Sequence, residues 1–293
     1  MIDTNLFGEK VEKNQILREL FIEPPFSVLD SKGGNWQNRK RQWKNLGIQS
    51  EIGRDVKCNA EFGGDLDENG LNKYGRKPMT SISVFDPALC ELMYHWFCRP
   101  EGTILDVFAG GSVRGIVANY LGFKYTGIDI RPEQVNSNIK QANDILGTKF
   151  THPYWITGDS DKVLDTINQK YDFLFTCPPY ADLEVYSDLE GDISNMNYTE
   201  FYNAYRSIII KSCGLLKDDG YAGIVVGDVR NKKGNYIDFI SATKKCFKDA
   251  GMKLYNEMIL LQPLGTAMLR AGKIFNSGKK LTKVHENILI FRK

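Results

Sequence analysis

The run Phe175-Thr176-Cys177-Pro178-Pro179-Tyr180 holds the residues whose types and order most clearly suggest chemistry. Two successive prolines fix φ and remove two backbone donors, which makes a rigid turn whose carbonyls are left to accept from something else. The Cys177 and Pro178 carbonyls suit an exocyclic amino group, and Tyr180 suits the flat ring that carries it. Held this way, the amine keeps its lone pair available to attack an electrophile, which is amine methylation chemistry. The preceding Tyr171-Asp172-Phe173-Leu174-Phe175 reads as a short buried strand. The turn is therefore expected at a strand's carboxyl end, where open α/β sheets bind ligands.

A site for the electrophile's carrier is expected upstream. Thr103-Ile104-Leu105-Asp106-Val107 is an apolar strand that runs into Phe108-Ala109-Gly110-Gly111-Ser112 and then a helix. Small residues at such a turn let a ligand approach the backbone closely. A second strand, Tyr125-Thr126-Gly127-Ile128, ends at Asp129-Ile130, and Pro132 is placed to open a helix. An acid there suits a ribose diol. A third run, Tyr154-Trp155-Ile156-Thr157, ends at Gly158-Asp159-Ser160, where Asp159 could accept from an adenine amine. Seen singly, Asp129 and Asp159 read equally well as helix caps. A glycine turn alone is a weak signal. The series of a glycine turn, two strand-end acids and a Pro-Pro-Tyr turn is a strong one.

In these motifs the chain resembles the S-adenosylmethionine-dependent amino-methyltransferases of DNA, which make N6-methyladenine or N4-methylcytosine. Asp106 to Gly115 match the family's cofactor turn, Asp129 the ribose acid, Asp159 the adenine-side acid, and Cys177 to Tyr180 the catalytic turn. Ser83 to Leu89, with Phe85, Asp86 and Pro87, looks like the motif that caps the methionine end of the cofactor, and Val284 to Lys293 looks like the family's last strand. The resemblance runs from about Ser83 to Lys293. The stretch Pro24 to Leu29, with Trp36 to Trp43, looks like the N-terminal arm of phage and prophage members. The resemblance implies a Rossmann-like, mostly parallel seven-stranded α/β sheet with helices on both faces, S-adenosylmethionine as cofactor, no metal, and DNA as partner. It favours adenine N6 over cytosine N4 only because N6 is commoner in the family. It admits a homodimer and a cognate restriction enzyme, which the residues themselves do not decide. Two departures matter. Cys177 stands where the family usually has Asp, Asn or Ser, and a thiol is a poor hydrogen-bond partner. Val107 stands where proline is common.

The elements that must position these residues fit within 293 residues, of which 42% are hydrophobic. That is enough for one full α/β core and a small appendage. From Ser83 onward strands and helices alternate, which argues a largely parallel sheet covered on both faces. Residues 81–293 are expected to form the catalytic domain. Residues 1–80 are polar and broken by glycines, and are expected to form an arm with one short helix around Trp36 to Leu46. The six cysteines lack paired spacing and the three histidines are scattered, so neither a zinc site nor a disulfide framework is expected. No basic start precedes an apolar run, and no segment approaches the ~20 apolar residues of a membrane helix. A cytoplasmic protein away from membranes is the expectation.

A base inside a duplex must be flipped out to be methylated, and phosphate contacts must offset that cost. With a net charge of only +2, the contacts must come from local clusters. Three stand out: Arg39, Lys40 and Arg41; Arg230, Lys232 and Lys233; and Arg270, Lys273, Lys279, Lys280 and Lys283, in the glycine-interrupted stretch 264–283. The last is expected to be an irregular target-recognition segment. Against this stand plainer readings. A run such as Arg39 to Arg41 is more often a solvated helix face than a phosphate clamp, and Trp36 and Trp43, seven apart, read as a core-facing stripe. Cys177 as a covalent nucleophile would need an activating base that the sequence does not supply nearby. Two other functions share the motifs: methylation of RNA or of a protein glutamine amide, and a binding module without turnover.

Overall fold

In the computed structural model, residues 13–48, 85–179, 187, 189–231, 233–265 and 267–293 are described. Tyr180, Lys232, and Ser83 and Val84 of the expected methionine-end motif lie outside them.

The first motif strand β2 (Thr103–Asp106), β3 (Lys124–Asp129), β4 (Tyr154–Thr157), β5 (Tyr171–Thr176) and β6 (Leu216–Val226) run parallel; β7 (Lys253–Leu261) forms a hairpin with the antiparallel β8 (His285–Arg292). A short strand β1 (Val28–Asp30) adds to β7, and the eight strands lie in the order β1-β7-β8-β6-β5-β2-β3-β4. The expected Rossmann-like α/β class is observed, with eight strands rather than seven. The additional strand comes from the segment expected to be an irregular arm. Three residues are too few to show an alternating pattern, and only pairing with β7 makes them a strand.

Of the N-terminal segment, residues 13–48 are described, and they pack on the sheet and on the helix that follows residue 86. They contribute α1 (Lys13–Phe21) and α2 (Gly34–Asn45), and α2 buries Trp36 and Trp43 against α3 (Pro87–Phe97). The seven-residue spacing gives the core-facing stripe. The polar partners come with it: Trp36 Nε1 and Lys40 Nζ both donate to Asp86 Oδ2, at 3.1 and 2.9 Å. Arg39 donates to both oxygens of Glu91, and Trp43 Nε1 donates to the same carboxylate at 2.9 Å. Asp86 also caps α3 through Ala88 N, with Pro87 opening the helix.

Helices cover both faces. α3, α4 (Val113–Tyr120) and α5 (Pro132–Leu146) pack on one side; α6 (Ser160–Val163), α7 (Tyr198–Gly214) and α8 (Phe239–Asp249) pack on the other. The residues of β5 divide between the layers: Phe173 and Phe175 lie on the α3 side and Leu174 on the α7 side, and Tyr171, before the irregularity in the pairing with β6, also joins the α7 side. All six β5 residues are buried, as a strand covered on both faces requires. Gly115 lets α4 approach the sheet. A Cβ there would lie 2.7 Å from the Trp155 ring and 3.0 Å from Pro153 Cβ. Overpacking of this kind costs about 1–3 kcal/mol, so Gly115→Ala should lower the unfolding free energy by that amount, read as a lower denaturant midpoint with the slope of the transition unchanged.

The stretch 264–283 is not irregular. It forms α9 (Ala267–Gly278) between β7 and β8, despite Gly272 in its interior. A single glycine costs a helix only about 1 kcal/mol, and the alternative of an unpaired backbone over twelve residues would cost more. None of its residues is buried. Among the described residues, no helix is long and apolar enough to cross a membrane.

Candidate functional site

Chain order reverses between β2 and β5, which are neighbours in the sheet: β2 leads outward to β3 and β4, and β5 leads the other way to β6. That reversal is the place where an open α/β sheet forms a crevice at its strands' carboxyl ends. The glycine turn after β2 and the Cys177-Pro178-Pro179 turn after β5 meet there. Thr176, fully buried, joins them: its Oγ1 donates to Asp106 Oδ1 at 2.7 Å and accepts from Phe108 N at 3.2 Å. Sequence reasoning missed this threonine, because its partners lie about 70 residues away.

The glycine turn is held from beneath by a group that was also missed. Arg114, buried in the first turn of α4, donates from Nε to Asp106 Oδ2 at 2.5 Å. Its Nη2 donates to the carbonyls of Phe108 and Ala109 at 2.6 and 2.9 Å. Its guanidinium also lies 4.4 Å from the centre of the Phe85 ring, whose edge in turn meets Phe175. Burial works against the charge on Arg114, but Asp106 outweighs it and holds the pKa above the ordinary arginine value. Tyr125 Oη donates to Asp106 as well, at 2.7 Å. With Thr176 Oγ1, Phe108 N, Arg114 Nε and Tyr125 Oη, Asp106 receives four donors, which fill the about four acceptor positions of a carboxylate. Asp106 therefore shapes the turn from inside the protein, where the sequence suggested direct contact with a ligand. Asp86 is similarly occupied, by the α3 amino end, Trp36 and Lys40.

Asp129 differs. Its Oδ2 accepts from Gly110 N at 2.8 Å and its Oδ1 from Arg131 N at 2.9 Å, which leaves acceptor capacity for a diol. Gly110 has φ 52°, a conformation that glycine adopts without strain. The turn is backed by α5, where Gln134, Asn138 and Gln141 form a buried polar stripe. Asn138 Nδ2 donates to Gly110 O at 2.8 Å, and Gln141 Oε1 accepts from Ser112 Oγ at 2.6 Å. Ala109 is buried, while Phe108, Gly110, Gly111 and Ile130 are half-buried. Asp159 caps α6 through Asp161 N and keeps its Oδ2 3.6 Å from Lys162 Nζ. Ser160 Oγ donates to Val107 O, tying the end of β4 to the glycine turn. These residues fit the nucleoside half of S-adenosylmethionine: a carboxylate with spare acceptor capacity at β3, a second at β4, and a small-residue turn between them and the Pro-Pro turn.

Burial pushes the Asp129 carboxyl up to about 6, against its ordinary 3.8, with the Arg131 and Gly110 N–H groups opposing the rise. The folded protein therefore holds this proton more tightly than the unfolded chain. The resulting stability is fully present below about 3.8 and is lost as pH rises through about 6. The window is worth on the order of 2–3 kcal/mol. Asp129→Asn should flatten this part of the stability profile, which urea unfolding at stepped pH would show.

The basic clusters have different fates. Arg39 and Lys40 form ion pairs with Glu91 and Asp86, at 2.6 and 2.9 Å, so they hold α2 on α3 rather than presenting a face for phosphate; Arg41 is exposed. The other two clusters meet. Gly234 packs so closely on Lys280 that a Cβ there would fall 2.5 Å from Lys280 Cε. Arg230 turns its Nη1 to Gly234 O and lies 3.9 Å from the centre of the Tyr236 ring. Lys233, Arg270, Lys273 and Lys279 are exposed. Cys177 is half-buried and makes no disulfide, and among the described residues no cluster of His, Cys, Asp and Glu could hold a metal ion.

Fold and site define a Rossmann-like α/β protein in which a glycine turn and a Pro-Pro turn are linked at the sheet's reversal point. No protein-family model matches the chain, and no curated protein matches it in sequence. Among solved structures, it is similar to TrmN from Thermus thermophilus, with a TM-score of 0.47 and 13% identity over 71% of this chain and 48% of that one. It is similar to a putative SAM-dependent methyltransferase from Streptococcus mutans, with a TM-score of 0.49 and 12% identity over 76% of this chain and 52% of the other. A third is the magnesium protoporphyrin IX methyltransferase ChlM from Synechocystis with bound SAM, with a TM-score of 0.43 and 14% identity over 66% and 71% of the two chains. The chain spans only about half the length of the first two. Likeness at this level says nothing about substrate.

Proposed function

We propose that the protein is a DNA amino-methyltransferase that uses S-adenosylmethionine to methylate the exocyclic amine of a flipped base, adenine N6 or cytosine N4. The observation that carries the reading is the Thr176 link, which sets the glycine turn and the Cys177-Pro178-Pro179 turn side by side at the sheet's reversal point. A cofactor crevice and an amine-gripping turn in contact are what such a transfer requires.

In this reading Asp129 accepts from the ribose diol, Asp159 accepts from the adenine amine, and the Ala109 to Ser112 backbone lines the cofactor. Phe85 and Pro87 close the methionine end, and Phe108, Ile130 and Ser160 form the walls. S-adenosylmethionine, when bound, supplies an electrophilic methyl group. The carbonyls of Cys177 and Pro178 accept from the target amine and hold its lone pair out of ring conjugation. Tyr180 stacks on the base and fixes its plane. The Cys177 side chain is not needed for either contact, which reconciles it with the position where the family has Asp, Asn or Ser. Arg114 acts through the turn it supports and touches neither reactant.

Flipping a base out of a duplex costs a few kcal/mol. Lys233 and Lys280 beside Arg230, with Arg270, Lys273 and Lys279 on and after α9, are the groups proposed to meet phosphates and offset that cost. Affinity for DNA should then fall steeply with salt. Transfer assays offering duplex DNA, RNA and a glutamine-bearing peptide in parallel test the substrate class. Preferential labelling of DNA supports the proposal, whereas preference for RNA or peptide, or cofactor binding without transfer, overturns it.

A further inference from the structure

The antiparallel β8 brings its amino end to the same sheet edge as the carboxyl ends of β5 and β6. Asn287 pairs with Val226, the last residue of β6, so Thr282 to Glu286 rise beside Asp228 at that edge. Three side-chain atoms in this short stretch are buried without a hydrogen-bond partner: Thr282 Oγ1, Lys283 Nζ and Asn287 Oδ1. Lys283 is the consequential one. Its ammonium carries three donors, and leaving them without hydrogen bonds where water is excluded is costly. Such a group calls for a physical reason, and a ligand that accepts from it is one.

The surroundings limit what that ligand can be. Asp228 and Glu286 both act electrostatically on Lys283 and oppose the lowering of its pKa by burial. Asp228 Oδ1 accepts from Phe239 N at 2.7 Å, at the start of α8. Glu286 Oε2 accepts from Gln262 Nε2 at 2.9 Å, and Glu286 feels Asp86 across the edge. Two carboxylates around one ammonium disfavour an anion such as phosphate and favour a neutral acceptor. The position fits as well. β8 lies two strands from β5, and two strand spacings amount to roughly 10 Å, the scale of one base seated against the Pro-Pro turn.

We propose that Lys283 is a specificity-determining residue that donates to a ring nitrogen or carbonyl of the target base, on the side away from the methylated amine. This rests on the functional reading above and adds to it a contact that distinguishes one ring from another. Under it, a base lacking the acceptor leaves Lys283 buried and unpaired, which is how sites of this kind reject near-isosteres.

The test compares the parent with Lys283→Met, which keeps length and packing, and Lys283→Gln, which keeps a neutral donor. Three quantities are measured: steady-state methyl transfer to DNA, cofactor dissociation constant and thermal midpoint. The expected result for Lys283→Met is a KM for DNA raised at least tenfold, cofactor affinity within twofold of the parent, and a thermal midpoint close to the parent's, since the lost attraction to Asp228 and Glu286 is offset by removal of a buried ammonium without hydrogen bonds. Lys283→Gln should recover part of the loss. A KM for Lys283→Met within twofold of the parent overturns the inference. So does a lowered midpoint with cofactor and DNA binding lost together, which marks a structural lysine. If the parent itself transfers nothing to DNA, the functional reading falls and this inference with it; a competent parent with an unaffected Lys283→Met overturns this inference alone.

Discussion

Replacing Arg114 with methionine should destabilise the protein by about 3–5 kcal/mol, the usual cost of removing one partner from a buried ion pair. The size follows from what the guanidinium does. It neutralises Asp106, which has no solvent exposure, and donates to the carbonyls of Phe108 and Ala109. Methionine fills much of the volume but leaves one buried carboxylate and two carbonyls short of donors. The double variant Arg114→Met with Asp106→Leu should recover much of the loss, because no charge is then stranded, although Thr176 and Tyr125 would lose an acceptor. Cofactor affinity should fall in both variants, since the glycine turn is no longer held from beneath. Urea unfolding read alongside cofactor titration checks this. A single variant as stable as the parent would contradict the role given to Arg114.

The second large effect falls on catalysis. Tyr180→Ala should reduce kcat/KM for DNA by about 5- to 150-fold. That range corresponds to the 1–3 kcal/mol measured when an aromatic side chain stacked on a base is removed. Tyr180→Phe or Tyr180→Trp should restore most of the activity, because stacking needs the ring and not the hydroxyl. Cofactor binding should be unchanged, since Asp129, Asp159 and the glycine turn are untouched. A Tyr180→Ala variant that transfers methyl groups to DNA as well as the parent would remove the stacking step from the mechanism.

What was legible in the sequence was local. The glycine turn, the acids ending β3 and β4 and the Pro-Pro turn announce themselves because each combines a short apolar strand with an adjoining residue of special backbone or charge. The parallel sheet followed from their alternation with helices. Long-range pairing was not legible. Arg39, Lys40 and Arg41 look like a phosphate-binding run until Glu91 and Asp86, about fifty residues on, claim two of the three. Trp36 and Trp43 gave the core-facing stripe by spacing alone, but not the carboxylates their indoles would meet. Arg114 offered one clue, an arginine eight residues after a strand-end acid across a turn, which can fold back on that acid. The helix across 264–283 was obscured by weighting its glycines as breaks, when Gly265 precedes it, Gly278 ends it and only Gly272 lies in its interior, where the cost is small. Lys283 was legible only as one more cation of that basic stretch, a candidate phosphate contact. Its significance comes from burial without a partner, and burial is a property of the fold.

The most direct test of the central claim is transfer of an isotopically labelled methyl group from S-adenosylmethionine to unmethylated genomic DNA, followed by digestion to nucleosides and mass spectrometry. The account predicts label in N6-methyladenine or N4-methylcytosine. Binding of the cofactor with no labelled nucleoside in the DNA, or label on carbon 5 of cytosine, would contradict it.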